Sequence, residues 1–289
     1  MKSSESFANS MARSFLRTVS FTLLFKIMIA HAVTGEQATT IHSSLFTVDT
    51  HIDTPIRLAL PGFDIQRRHD LAVHYSSVDI PKLSQGALDS GFWAIYSPQG
   101  PMTKEGYERS YFNAVRRLSQ IVRMVSENEE NFDVAHSSID IERLGQTKKH
   151  IIIMSMENAY PLGEDISRLE EFFQAGVRLL GLVHTSNNQF ADSSTDKNGP
   201  LWNGLSPLGI KLVEEANRLG IILDASHAHD KTLDQLIDLS KTPIVLSHSG
   251  VKAVHDHARN IDDRLLRKLA GSGGVIHINA YGSYLKKLS

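Results

Sequence analysis

The chain has 289 residues, 41% hydrophobic and 21% charged, enough to bury the core of one large α/β domain or two smaller ones, which excludes a disordered or fibrous protein. A formal net charge of -2 and a pI near 6.7 provide no global field for nucleic acid or an anionic membrane surface, so no nucleic-acid partner is expected. With no cysteine there can be no disulfide, thiolate metal site or cysteine nucleophile, and any metal must be held by His, Asp and Glu.

At the N-terminus, Lys2, Arg13 and Arg17 precede the apolar stretch "VSFTLLFKIMIAHA", which closes on Ala30-His31-Ala32. That order predicts a signal peptide over 1–32 and an exported protein, periplasmic or secreted. The segment is short and carries Lys26, so no stable membrane anchor is expected. Residues 33–44 read as a linker, and 45–289 as one domain.

Seven apolar runs of strand length follow: Leu45–Asp49, Phe92–Tyr96, Ile151–Ser155, Val177–Val183, Ile221–Asp224, Ile244–Ser247 and Val275–Asn279. They are rich in Ile, Val and Leu without strict alternation, as in strands buried on both faces of a parallel sheet. Amphipathic segments separate them. Ala114, Val115, Leu118, Ile121, Val122 and Val125 recur at helical spacing. Ser206, Pro207 and Gly220 bracket a second helix as cap, first-turn proline and terminator. "ISRLEEFFQAG" and "DDRLLRKLAG" repeat the scheme, and "GSGG" at 271–274 connects helix to strand. Strand alternating with helix implies an α/β fold, either an open doubly wound sheet or a (β/α)₈ TIM-type barrel.

In six of the seven runs a polar residue stands just past the C-terminal end: His51 with Asp53, Glu157, His184, His227, His248 and Asn279. A barrel gathers all such ends at one rim, whereas an open sheet gathers fewer at its switch point, so the barrel is expected. His51 and Asp53, two apart on an extended segment, face one side. A lone Glu157 ending a buried strand would be costly unless paired or bound to metal. With His227 and His248 they form a sulfur-free set sufficient for two divalent ions sharing a carboxylate; zinc suits it best, with manganese, cobalt and iron left open. His42, His69, His74, His136, His150, His229 and His255 read as solvated or packed loop and helix residues, and His277 as pointing into a core or a neighbouring layer. No G-x-S-x-G elbow, P-loop or G-x-G-x-x-G is present.

From about Leu45 onward the motifs together resemble the membrane (renal) dipeptidase family of zinc metallopeptidases. The carriers are "VDTHIDTP", "GFWAIYSP", "SMENA", "LVHTSNNQFADS", "LDASH", "LSHS" and "DHARN". The resemblance implies a (β/α)₈ barrel with two zinc ions: His51 and Asp53 on the first, His227 and His248 on the second, Glu157 bridging both. It further implies that His184 contacts the scissile peptide group beside the metals and that Arg259 grips the carboxylate of a dipeptide substrate. The family's eighth strand and its proton-transfer aspartate find no counterpart after "YGSYLKKLS", so the barrel is expected to be C-terminally incomplete. Hydrolysis of another small amide, lactone or β-lactam, an inactive chain, and a homodimer all stay open at this point.

Overall fold

The computed structural model describes residues 34–74 and 76–287; the expected signal peptide lies outside the described residues. The chain divides into two compact units after Leu45. Within the first, the stretch expected as a linker contains an exposed helix, Gly35–Ser43, opened by a capping box in which Thr34 Oγ1 and Gln37 Oε1 accept reciprocal backbone N–H bonds.

The second unit is built on a nine-stranded parallel sheet: β1 Val48–Ile52, β2 Ser90–Tyr96, β3 Phe132–Val134, β4 His150–Glu157, β5 Val177–Gly181, β6 Ile222–Asp224, β7 Val245–Val251, β8 Asn260–Ile261 and β9 Val275–Ile278. Its main path runs β1-β2-β4-β5-β6-β7-β8, with β3 paired to β4 and β9 to β7. β3 takes the first half of β4 (Phe132↔His150 to Val134↔Ile152), whereas β5 pairs with the second half (Met154 to Met156).

Five strand steps separate β1 from β7, about 24 Å if the sheet were flat. Yet Thr50 Oγ1 donates to the Ser247 carbonyl at 2.6 Å, and the His51 and His248 rings stack at 3.8 Å. The sheet is therefore curled round on itself, as in a barrel of the (β/α)₈ type. Among the described residues β1 pairs with β2 alone and β9 with β7 alone. These strands show it in their side chains: β4 is buried almost throughout, while Val48, Val275 and Ile278 are exposed.

Helices cover the outer face. Lys104–Ser126 contributes Ala114 and Ile121 to the core, Pro207–Leu219 contributes Leu212 and Val213, Asp230–Leu239 contributes Leu233 and Leu236, and Asp263–Gly271 contributes Leu265 and Leu269. The second of these starts and stops as its sequence implies: the Ser206 hydroxyl accepts from Gly209 N, Pro207 takes the first turn, and Gly220 adopts φ 77°. Gly209 has a second constraint, because a Cβ there would lie 2.0 Å from the Phe190 carbonyl oxygen.

Two sequence readings need correction. The first strand begins at Val48 rather than Leu45, because the Thr47 N–H and hydroxyl are taken by the Asp89 carboxylate and the Ala87 carbonyl, outside the ladder. His150 is not a loop or helix residue but the first residue of β4, buried with both ring nitrogens engaged: Nδ1 lies 2.9 Å from the Leu88 carbonyl and Nε2 accepts from Trp93 Nε1 at 3.1 Å.

Burial pushes the His150 pKa down from its ordinary value, although the Leu88 carbonyl works in the opposite direction. The unfolded chain thus takes up this proton at a higher pH than the folded one, so the stabilisation is fully present above the unfolded value of about 6.5 and is lost as pH falls through the depressed folded value. Urea unfolding followed by Trp93 emission should show a midpoint that falls below pH 6.5, and His150→Gln should flatten that slope while lowering the midpoint at neutral pH.

Candidate metal centre

The polar strand ends converge on Glu157, the last residue of β4, which lies opposite Tyr96 of β2. Its Oε1 lies 3.2 Å from His227 Nε2, 3.5 Å from His248 Nε2 and 3.6 Å from His184 Nε2, while its Oε2 lies 3.6 Å from His51 Nε2. His227 Nε2 and His248 Nε2 are 2.9 Å apart. His51 is carried by β1 and His248 by β7, whereas His184 and His227 stand on the turns that leave β5 and β6. The backbone bends sharply here: Asn158, after Glu157, has φ 72°, and His227 itself has φ 69°. The left-handed region is uncommon for a residue with a Cβ, and here it aims the imidazole inward.

The potential ligand atoms form two overlapping groups, His51–Glu157–His248 and Glu157–His184–His227, with Glu157 common to both. The resemblance grouped the histidines differently, placing His227 with His248 and His51 with Asp53. Asp53 sits at the rim, its side chain largely exposed and its Oδ1 3.4 Å from His51 Nε2.

Two donors each about 2.1 Å from a tetrahedral cation lie roughly 3.4 Å apart. The carboxylate–imidazole separations of 3.2 to 3.6 Å match that spacing. Three of the four, those to His51, His184 and His248, are longer than an ordinary N–H···O hydrogen bond. A buried carboxylate faced by four imidazoles and, among the described residues, by no lysine or arginine ion pair also suits divalent cations with mixed nitrogen and oxygen ligation.

The electrostatics agree. Burial alone would push the Glu157 carboxyl up, but the His227 and His248 imidazoles beside it and the charge on His51 hold it well below the usual carboxylate range. Burial pushes His184, His227 and His248 down, which favours neutral rings with a free lone pair. At His51 burial also opposes protonation, yet the hydrogen bond to Asp53 and the charges of Glu157, Asp53 and Asp224 outweigh it and raise the ring to about 9.

Beside this cluster opens a cavity of about 940 Å³, bordered by Asp53, Tyr96, Arg259, His277 and Asn279 among others. Arg259 is buried; its Nη2 donates to the His248 carbonyl at 3.0 Å, its Nε has no hydrogen-bond partner among the described residues, and its guanidinium lies 5.4 Å from the centre of the Tyr284 ring. His277, expected to point into a core or a neighbouring layer, instead borders the cavity and is only partly buried, because among the described residues β9 has a partner on one side alone. Tyr96, whose ring stacks obliquely 4.9 Å from His184, was not singled out from sequence. Its only signal was its place as the last residue of a predicted strand.

The profile of the membrane dipeptidase family, peptidase family M19, matches residues 35–289. The chain belongs to this family. The dipeptidase tcpJ from Claviceps purpurea is 34% identical over 221 residues, covering 74% of this chain and 50% of its own length. The crystal structure of PvdM, a probable dipeptidase from Pseudomonas aeruginosa, superposes with a TM-score of 0.81 at 33% identity, covering 88% of this chain and 64% of that one. A metallopeptidase from Rhodobacter sphaeroides, liganded with a phosphinate mimic of the dipeptide L-Ala-D-Ala, gives a TM-score of 0.71 at 25% identity, covering 83% and 75%. The chain spans about half the length of curated relatives such as tcpJ.

Proposed function

We propose that this chain is an exported dipeptidase that hydrolyses the peptide bond of short substrates with two zinc ions held by His51, Asp53, Glu157, His227 and His248. The observation that carries this reading is the buried Glu157 ringed by imidazoles at ligand spacing, beside a cavity with a buried arginine. When bound, the ions would supply Lewis-acid polarisation of the carbonyl and lower the pKa of a water to near neutrality.

The protein's own groups do the rest. Glu157 supplies the negative charge common to both ligand groups, and the neutral rings keep their lone pairs turned towards it. His184, 24% exposed and facing the cavity, stands where it can donate to a developing oxyanion. Arg259, with unused donors in a desolvated setting, would bind the terminal carboxylate of the substrate, which limits substrates to short peptides. A cavity of about 940 Å³ has room for a dipeptide. The dipeptide mimic bound by the Rhodobacter sphaeroides relative supports the same substrate class. The basic-then-apolar order of residues 1–32 supports export.

The experiment is hydrolysis of L-L and L-D dipeptides by zinc-loaded protein, with lactones alongside. Dipeptide turnover abolished by chelation, restored by zinc and inhibited by a phosphinate dipeptide mimic is the expected result. Zinc-loaded, folded protein that opens lactones and leaves every dipeptide intact would overturn it.

A further inference from the structure

Behind His248 lies a second polar assembly, of which Ser247 borders the cavity while Asp224 and Ser226 stand behind it. Asp224, at the end of β6, is 4% exposed and uses both carboxylate oxygens within the strand ends. Its Oδ1 accepts from the backbone N–H of Ser226 at 2.9 Å and of Ser247 at 3.0 Å. Its Oδ2 accepts a short hydrogen bond from the Ser247 hydroxyl. The same Ser247 Oγ lies 2.8 Å from His248 Nδ1 and 3.2 Å from Ser226 Oγ. Ser226 Oγ in turn accepts from the His248 backbone N–H at 3.0 Å.

The direction of these bonds follows from the donor inventory. An ionised carboxylate can only accept, so the single proton of Ser247 is committed to Asp224. The Ser247 oxygen then meets His248 Nδ1 purely as an acceptor, and that contact requires the proton to sit on Nδ1. The opposite nitrogen, Nε2, is left with its lone pair directed at Glu157 and His227.

We propose that Asp224 is a positioning residue that acts through Ser247 to lock His248 in the Nδ1–H tautomer, so that Nε2 is always presented as a lone-pair donor to a metal ion. The proposal rests on His248 being a ligand, as assigned above. Outer-shell partners of a metal-bound histidine set its tautomer and its ring orientation, and their loss commonly costs 10–100-fold in affinity. Here the outer shell has two links, a carboxylate and a hydroxyl in series.

An amide at position 224 reverses the polarity of the chain of bonds. In Asp224→Asn the amide oxygen is held at the Oδ1 place by the two backbone N–H groups, and the NH₂ group then points at Ser247 Oγ as a donor. The Ser247 proton is freed to turn towards His248 Nδ1, which places the imidazole proton on Nε2, facing the metal site.

The test combines imidazole ¹⁵N shifts of the metal-free protein with zinc titration against a chromophoric chelator, on wild type, Asp224→Asn, Ser247→Ala and the double variant. Wild type should show His248 protonated on Nδ1, and Asp224→Asn should move the population to Nε2–H and weaken zinc by about 10–100-fold. Ser247→Ala should weaken zinc, and adding Asp224→Asn to it should then change little. A wild-type His248 protonated on Nε2, an Asp224→Asn protein with unchanged tautomer, or an Asp224→Asn loss that persists in full without Ser247 would each overturn the proposal. The ¹⁵N readout needs no ion, so a protein with the expected tautomer that binds no zinc would defeat the metallopeptidase reading and leave the lock standing.

Discussion

Glu157→Gln should leave a folded protein that no longer holds two ions. The substitution is isosteric, so the packing of β4 survives, but the negative charge that faces four imidazoles is gone. Removing one charged partner from a buried ionic cluster costs about 3–5 kcal/mol, or roughly 10²–10⁴-fold in affinity. Zinc stoichiometry by direct metal analysis should fall below two, and dipeptide turnover should fall by at least about 10²-fold at saturating substrate. His51 provides a separate reading, because its pKa near 9 is raised in part by Glu157; in the metal-free variant its ring should titrate lower. A Glu157→Gln protein that keeps both ions and full activity would remove Glu157 from the site.

Asp192→Ala is the second large expected effect, and it acts through the walls of the site. Asp192 is fully buried in the loop between β5 and the helix Pro207–Leu219. Its carboxylate accepts from the backbone N–H of Leu201 at 2.7 Å, Trp202 at 3.0 Å and Gly204 at 2.8 Å. Its carbonyl accepts from His229 N and Thr232 Oγ1, both at 3.0 Å. Next to it, Ser193 Oγ donates to the His184 carbonyl, and Ser194 N donates to the His227 carbonyl at 2.9 Å.

The segment therefore ties the His184 turn to the His227 turn. Truncation would leave the buried Gly204 N–H and the part-buried N–H groups of Leu201 and Trp202 without this acceptor, at about 1–3 kcal/mol for a buried group and less for the others, so a loss of about 3 kcal/mol is expected. For a domain of this size that corresponds to a fall in Tm of roughly 6–12 °C. Trp202 emission should shift as the loop loosens, and zinc affinity should weaken with it. Unchanged Tm and unchanged emission would show that the loop is held by other bonds.

Much of the site could be read from residue order, since His51, Glu157, His227 and His248 each end an apolar run. A parallel sheet delivers such residues to one edge whatever their separation in sequence. Element boundaries were less legible: the Leu45–Asp49 run slips to Val48–Ile52 because Asp89, forty-two residues away, captures Thr47. β3 and β8 have no apolar run to announce them; "FDV" and "NI" become strands only by lying against β4 and β7. Asp224 and Ser247 stood inside motifs noticed for their histidines, and their partnership depends on the β6–β7 pairing, Asp224↔Val245. Asp192 carries no such signal, because local sequence does not tell how many backbone N–H groups a fold will turn towards one side chain.

The bond from Thr50 to Ser247 joins residues 197 apart and sets the order in which the molecule can come into being. A ribosome adding about 5–20 residues per second needs roughly 10–40 s to supply the second partner after the first has been made. Throughout that interval His51 has neither His248 to stack on nor, for much of it, Glu157 to face. The nascent chain thus carries half a chelate with nothing to close it, and the centre is assembled late, after most of the sheet that supports it.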